Sequence, residues 1–157
     1  MKHIISVLVD NKPGVLARVA GLFSARGYNI CSLAVGETED PAISRMTIVS
    51  EAADIRILEQ IIKQLRKLID TITVTDLTRK DFLDREMVLL KVKFPAEQQR
   101  AIAAAANKFN AKIVKHNRDF AVFELCAASE DVESFLKSIK QFEIVELMRT
   151  GRVAVVL

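Results

Sequence analysis

The chain has 157 residues, half of them hydrophobic and 27% charged, and carries a net charge of +3. That balance suits one medium globular domain or two small ones, and no apolar run approaches the roughly 18 residues needed to cross a bilayer. The positive excess is mild and scattered, as in Arg79-Lys80, rather than gathered into the dense basic stripe that nucleic acid requires.

Ile4–Val9 is a short run rich in β-branched residues and reads as a strand. Asp10-Asn11-Lys12-Pro13-Gly14 breaks it with turn formers. Val15, Leu16, Val19, Leu22 and Phe23 then recur at helical spacing, and Arg26-Gly27 supplies the stop. Tyr28–Val35 reads as a second strand, residues 36–42 as a polar loop and Ser44–Ser50 as a third strand. Ile55, Leu58, Ile61, Ile62 and Leu65 form the stripe of a second helix, which Asp54 is placed to cap. Thr71–Thr75 alternates strictly, as a half-buried strand does.

The second half repeats this β-α-β-β-α-β order. Glu86–Phe94 reads as a strand, and Pro95 opens a helix with Ile102, Ala105, Ala106 and Phe109 as its inner stripe. Ala111–Lys115 and Phe120–Cys126 pair across a turn at His116–Asp119. Ser129 is placed to cap a helix carrying Val132, Phe135, Leu136 and Ile139, and Glu143–Met148 is the last strand of the motif. Arg149-Thr150-Gly151 turns into a short apolar tail, Val153–Leu157. The expected architecture is α+β: two tandem ferredoxin-like βαββαβ sandwiches, each an antiparallel sheet with two helices on one face. Residues 1–77 form the first domain, the charged stretch 78–85 a linker, and residues 86–157 the second domain.

The second strand of such a sandwich lies at a sheet edge. Tyr28–Val35 contains no Lys, no Pro and no charge, the features that protect exposed edges. Such an edge expects another strand, most simply its own copy across a two-fold axis, so a homodimer is expected unless a loop or the second half covers the edge.

Ligand chemistry can be argued at Asp10–Leu16. The loop ends a strand and opens a helix, whose first N–H groups lack backbone partners and favour an anion such as an α-carboxylate. Gly14 permits close approach, Pro13 stiffens the loop, and Asn11 offers both a donor and an acceptor. Asn29 offers the same pair at the start of the suspected edge strand, where two chains docked edge to edge would bring it near the other chain's loop. The same residues also simply make a turn.

Catalysis finds little support. His3 and His116 are the only histidines and read as surface positions at a strand start and a hairpin. Cys31 and Cys126 are too few and too far apart for a disulfide framework or zinc site; their apolar surroundings predict small core residues. No Ser-His-Asp or Cys-His set can be assembled. Glu39-Asp40 and Glu130-Asp131 read as a loop and a helix N-terminus. An acylphosphatase would need a different phosphate loop. An RNA-binding sandwich would need aromatic residues on its central strands, where this chain has Val and Ile. Met1-Lys2-His3-Ile4 leads straight into a strand without the apolar region and cleavage site of a signal peptide, so the expected setting is the reducing cytoplasm.

The run Ile5–Val19, with Asp10-Asn11-Lys12-Pro13-Gly14-Val15-Leu16 at its centre, resembles the opening of an ACT domain, the amino-acid-sensing module. Gly21-Leu22-Phe23-Ser24-Ala25-Arg26-Gly27-Tyr28-Asn29-Ile30, then Ser32-Leu33 and Ser44-Arg45-Met46-Thr47, is similar to the small regulatory subunit of acetolactate (acetohydroxyacid) synthase. Leu58-Glu59-Gln60-Ile61, Arg85-Glu86-Met87 and Arg149-Thr150-Gly151 continue the likeness, while Lys115 departs from the acidic residue common there. The resemblance implies a non-catalytic subunit in branched-chain amino acid biosynthesis, including that of isoleucine. Such a subunit activates the catalytic large subunit and makes it subject to feedback inhibition by valine. It places the effector at the ACT dimer interface, on Asn11, Gly14, Val15 and Leu16 of one chain and Asn29 and Ile30 of the other. It also assigns thiamine diphosphate, FAD and magnesium to the catalytic partner, with no cofactor, metal, nucleic acid or membrane for this chain. An ACT-type sensor serving a different enzyme or a transcription factor would share the fold and the site.

Overall fold

The structure, a computed structural model, describes residues 2–51 and 54–157. The chain divides into two compact units: residues up to Leu83 together with Arg152–Leu157, and Asp84–Gly151.

The first unit is built from β1 (Lys2–Asp10), α1 (Val15–Ser24), β2 (Ile30–Glu37), β3 (Ile43–Glu51), α2 (Ile55–Leu65) and β4 (Thr71–Asp76). Its strands form an antiparallel sheet in the order β2-β3-β1-β4. Period-two alternation decides which side chains go where. Ile5 pairs with Ile48 and Val7 with Met46, and all four join Val19, Phe23, Leu58 and Ile61 in the core under the helices. The intervening Ile4 and Val49 point to the opposite face, where they cluster with Leu77 and Ala154. Helix α2 starts where its sequence says it should: Asp54 Oδ1 accepts from the N–H groups of Arg56 (2.8 Å) and Ile57 (3.1 Å), satisfying two donors that the first turn leaves open.

The second unit contains most of β5 (Phe82–Lys93), a 3-10 turn at Ala96–Gln98, α3 (Gln99–Lys108), β6 (Lys112–His116), β7 (Phe120–Ala127), α4 (Ser129–Ile139) and β8 (Glu143–Arg149). The order β6-β7-β5-β8 repeats that of the first unit. Val88, Leu90 and Val92 meet Phe123, Phe135 and Ile139 in its core, with Phe135 edge-on to both Phe109 (5.7 Å) and Phe123 (6.0 Å). The two tandem ferredoxin-like sandwiches expected from the sequence are therefore present. Of residues 78–85, expected as a linker, those from Phe82 onward already belong to β5, and the apolar tail forms β9 (Val153–Val156) within the first unit.

Several local expectations are corrected. Ala128, not Ser129, holds the N-cap position of α4 with no side-chain capping bond, and Ser129 is the buried first residue of the helix. Glu130 and Asp131 in the first turn complement the helix dipole instead. Both cysteines are exposed. Cys31 sits where the pairing of β2 with β3 shifts register, and Cys126 alternates away from the core residue Leu125. His3 is only 5% exposed, because residue 3 shares a face with Ile5 and Val7. Its ring nitrogens have no hydrogen-bond partner among the described residues. His116 is exposed, as expected, with Nε2 2.6 Å from Gln99 Nε2.

An ion pair between a buried carboxylate and a partly exposed arginine accounts for two of the sequence runs in the second unit. Arg149 Nε and Nη2 donate to the two carboxylate oxygens of Glu86 at 2.7 and 2.9 Å, and Nη2 also reaches Glu133 at 2.8 Å. The bond to Glu86 raises the Arg149 guanidinium above the usual arginine range. Next to it, the Met87 N–H donates to Thr150 Oγ1 (3.0 Å) and the Thr150 N–H to the Met87 carbonyl (3.1 Å). Glu86 is 3% exposed, so Arg149→Met should leave an uncompensated carboxylate and destabilise this unit by about 3–5 kcal/mol. The double variant Glu86→Leu/Arg149→Met should recover most of that loss, as read by urea denaturation.

Candidate functional site

The loop between β1 and α1 is held open by its own charged neighbours. Asn11 donates its N–H to the Ala42 carbonyl at 2.7 Å. Its side-chain Nδ2 donates to Glu37 Oε1 (3.0 Å) and to the Pro41 carbonyl (2.9 Å). Both amide hydrogens are thus committed, and Oδ1 is left as an acceptor. Lys12 Nζ lies 2.7 Å from Asp10 Oδ2, and this hydrogen bond holds the exposed ammonium above the usual lysine range. Arg18 Nε is paired with Asp70 Oδ2 at 2.7 Å, while the Asp70 carbonyl accepts from the Asp10 N–H at 2.9 Å. One side of the loop is tied to the β2–β3 connection and the other to the segment before β4.

Gly14 occupies the N-cap of α1 at φ +83° with no side-chain cap. The Val15 N–H turns back to the Lys12 carbonyl (3.3 Å) and the Arg18 N–H to the Gly14 carbonyl (3.0 Å). No acceptor among the described residues takes the N–H groups of Gly14, Leu16 and Ala17. The positive end of α1 is therefore uncapped, an arrangement that favours a carboxylate. A Cβ on Gly14 would stand 3.1 Å from Arg18 Nη1.

The six residues expected at the site take different positions. Asn11, Gly14 and Leu16 are exposed together, Leu16 at 45%. Val15 is 3% exposed and belongs to the core, so its side chain offers no apolar surface to a ligand; α1 turns it inward beside Val19. Asn29 is exposed, its carbonyl accepting from Ser50 Oγ at 2.8 Å, and Ile30 packs half-buried on the core edge.

Within one chain these residues form two groups. Strands β1 and β2 each run antiparallel to β3, so they run parallel to each other. The end of β2 at Glu37 adjoins Asn11, while its start at Ile30 pairs with Ser50, opposite the beginning of β1. Along the strand, Ile30 and Glu37 are about 23 Å apart. Asn29 cannot share a small ligand with Asn11 of its own chain. The outer edge of β2 has no strand partner among the described residues.

Arg18, Asp70 and Glu37 shape this loop without having been singled out from the sequence. Asp70 lies 52 residues from Arg18 and Glu37 lies 26 from Asn11, and no local pattern signals either pairing. Among the described residues no group of His, Cys, Asp or Glu is arranged to hold a metal ion, and no helix is long and apolar enough to cross a membrane. Gly14→Ala should cost about 1–2 kcal/mol, because an L-residue resists this left-handed conformation; thermal unfolding would register the loss.

Comparison with known proteins places both units in one setting. Residues 5–73 match the family model of the AHAS small subunit-like ACT domain, and residues 85–156 match that of the small subunit of acetolactate synthase. A probable acetolactate synthase small subunit from Archaeoglobus fulgidus is 50% identical over 99% of this chain and 97% of its own length. The acetolactate synthase small subunit of Aquifex aeolicus is 43% identical over 98% of this chain and 80% of its own. The crystal structure of the acetolactate synthase small subunit from Thermotoga maritima superposes with a TM-score of 0.89 at 40% identity, covering 100% of this chain and 98% of that one.

Proposed function

The chain belongs to the family of acetolactate synthase small subunits, and from that membership we propose that it regulates a catalytic large subunit without an active site of its own. Two copies pair through β2, and valine bound between them switches the partner down. The large subunit carries the thiamine diphosphate, FAD and magnesium, and the assembly works in the cytoplasm.

The observation that carries this reading is the separation of the site residues along β2. Antiparallel pairing of two β2 edges across a two-fold axis sets the start of one strand beside the end of the other. Asn29 and Ile30 of the second copy then arrive next to Asn11, Gly14 and Leu16 of the first. The effector's carboxylate meets the open N–H groups of α1. Its ammonium meets the free Oδ1 of Asn11 and the amide oxygen of Asn29. Leu16 and Ile30 receive the isopropyl group. Burying that group is worth roughly 1.5–3 kcal/mol, and each charge-assisted bond adds about 1.5–3 kcal/mol. Such magnitudes suit a reversible sensor.

Valine bridging two chains stabilises one arrangement of the pair over another, and it shifts the partner only by its differential affinity for the two. Linkage requires the reverse effect. Titrating valine by calorimetry with and without the large subunit should therefore give different affinities, and equal ones would rule the coupling out. Gly14→Asp places a carboxylate beside Arg18, where the effector's own would lie. It should abolish valine inhibition while leaving activation of the large subunit; full valine sensitivity in this variant would refute the site. Val35→Lys puts a charge on the open edge and should yield monomers in analytical ultracentrifugation.

A further inference from the structure

The last six residues of the chain fold onto the first unit, on the face of its sheet away from the helices. Ala154 is 8% exposed and packs with Ile4, Val49 and Leu77, with Phe82 at the margin. The Leu157 N–H donates to the Asp81 carbonyl at 3.0 Å. At the other end of the segment, the Arg152 N–H donates to Ser32 Oγ at 3.0 Å across 120 residues of sequence. Val153 and Ala154 also line a shallow depression with Ala34, Gly36, Arg45 and Thr47.

Ser32 occupies a sensitive position in β2. The pairing with β3 shifts register between Ile30 and Ser32, leaving Cys31 as the extra residue. A bulge of this kind bends its strand and sets the direction of the residues beside it. Those residues are Asn29 and Ile30. The Ser32–Arg152 bond therefore fastens the strand immediately after the bulge, where the aim of Asn29 and Ile30 is decided.

We infer that Arg152–Leu157 is a strap belonging to the effector unit and that Ser32 is the positioning residue through which it sets strand β2. This rests on the reading of Asn29 and Ile30 as effector residues. The strap holds the start of β2 in the geometry that the effector site needs, with Ala154 as its anchor on the sheet and Ser32 as its contact with the strand. Residues at the far end of the sequence thus govern affinity at that site.

The test uses the full-length protein, measuring valine binding by calorimetry and backbone amide exchange without valine. Ser32→Ala removes the acceptor and should weaken valine about three- to tenfold, whereas Ser32→Thr keeps a hydroxyl and should bind nearly as wild type. A chain ending at Gly151 should lose more affinity than Ser32→Ala. In both the Ser32→Ala and shortened chains, amides of residues 30–35 should exchange faster before any valine is added. Wild-type valine affinity in Ser32→Ala, or unchanged exchange along β2, would overturn the strap. Should the unaltered protein bind no valine, the effector reading falls and the exchange measurement alone decides whether the tail holds the strand.

Discussion

The direction of two strands controls what this fold can bind. Because β1 and β2 both run antiparallel to β3, the loop after β1 and the start of β2 lie at opposite ends of one sheet. A single chain can supply an uncapped helix N-terminus at Gly14 or an exposed amide at Asn29, but not both to one small molecule. The same topology leaves β2 at the sheet edge, where Tyr28–Val35 bears none of the charges or prolines that discourage pairing. In the proposed assembly, one two-fold contact relieves the open edge and completes the split site.

The loop is prepared for that role by bonds that restrict it before any ligand arrives. Asn11 is fixed through Glu37 and the Pro41 carbonyl, and Arg18 through Asp70. Holding these groups in place beforehand lowers the entropy lost on binding. Gly14 contributes a backbone conformation that few other residues tolerate, leaving the N–H groups of the first turn uncovered. The exposed ion pairs around the loop contribute little to stability in themselves; their effect is to fix the side chains that flank the open turn.

Much of the fold was legible in the sequence because its signals are local. The apolar stripe of α2, the Asp54 cap and the alternation of β1 are all set by neighbours within a few residues. The features that escaped depend on partners distant in sequence. Ser129 has the right chemistry for a cap, yet packing draws it inside and shifts the cap to Ala128. His3 looks like an exposed strand start until pairing with Ser50 fixes which face it takes. Val15 has the spacing of a core residue as well as the placement of a ligand contact, and the helix gives it to the core. The tail reads only as a short apolar run, since its binding surface of Ile4, Val49 and Leu77 comes from separate strands and a turn.

The claim that one effector site draws residues from two chains can be examined by mixing variants. Asn11→Ala chains and Asn29→Ala chains, each alone, should fail to bind valine. Unfolded and refolded together, they should form heterodimers in which one seam site has both asparagines and the other has neither. Random pairing then predicts recovery of about a quarter of the wild-type valine sites at wild-type affinity. A mixture that binds no more valine than the separate variants would contradict the account.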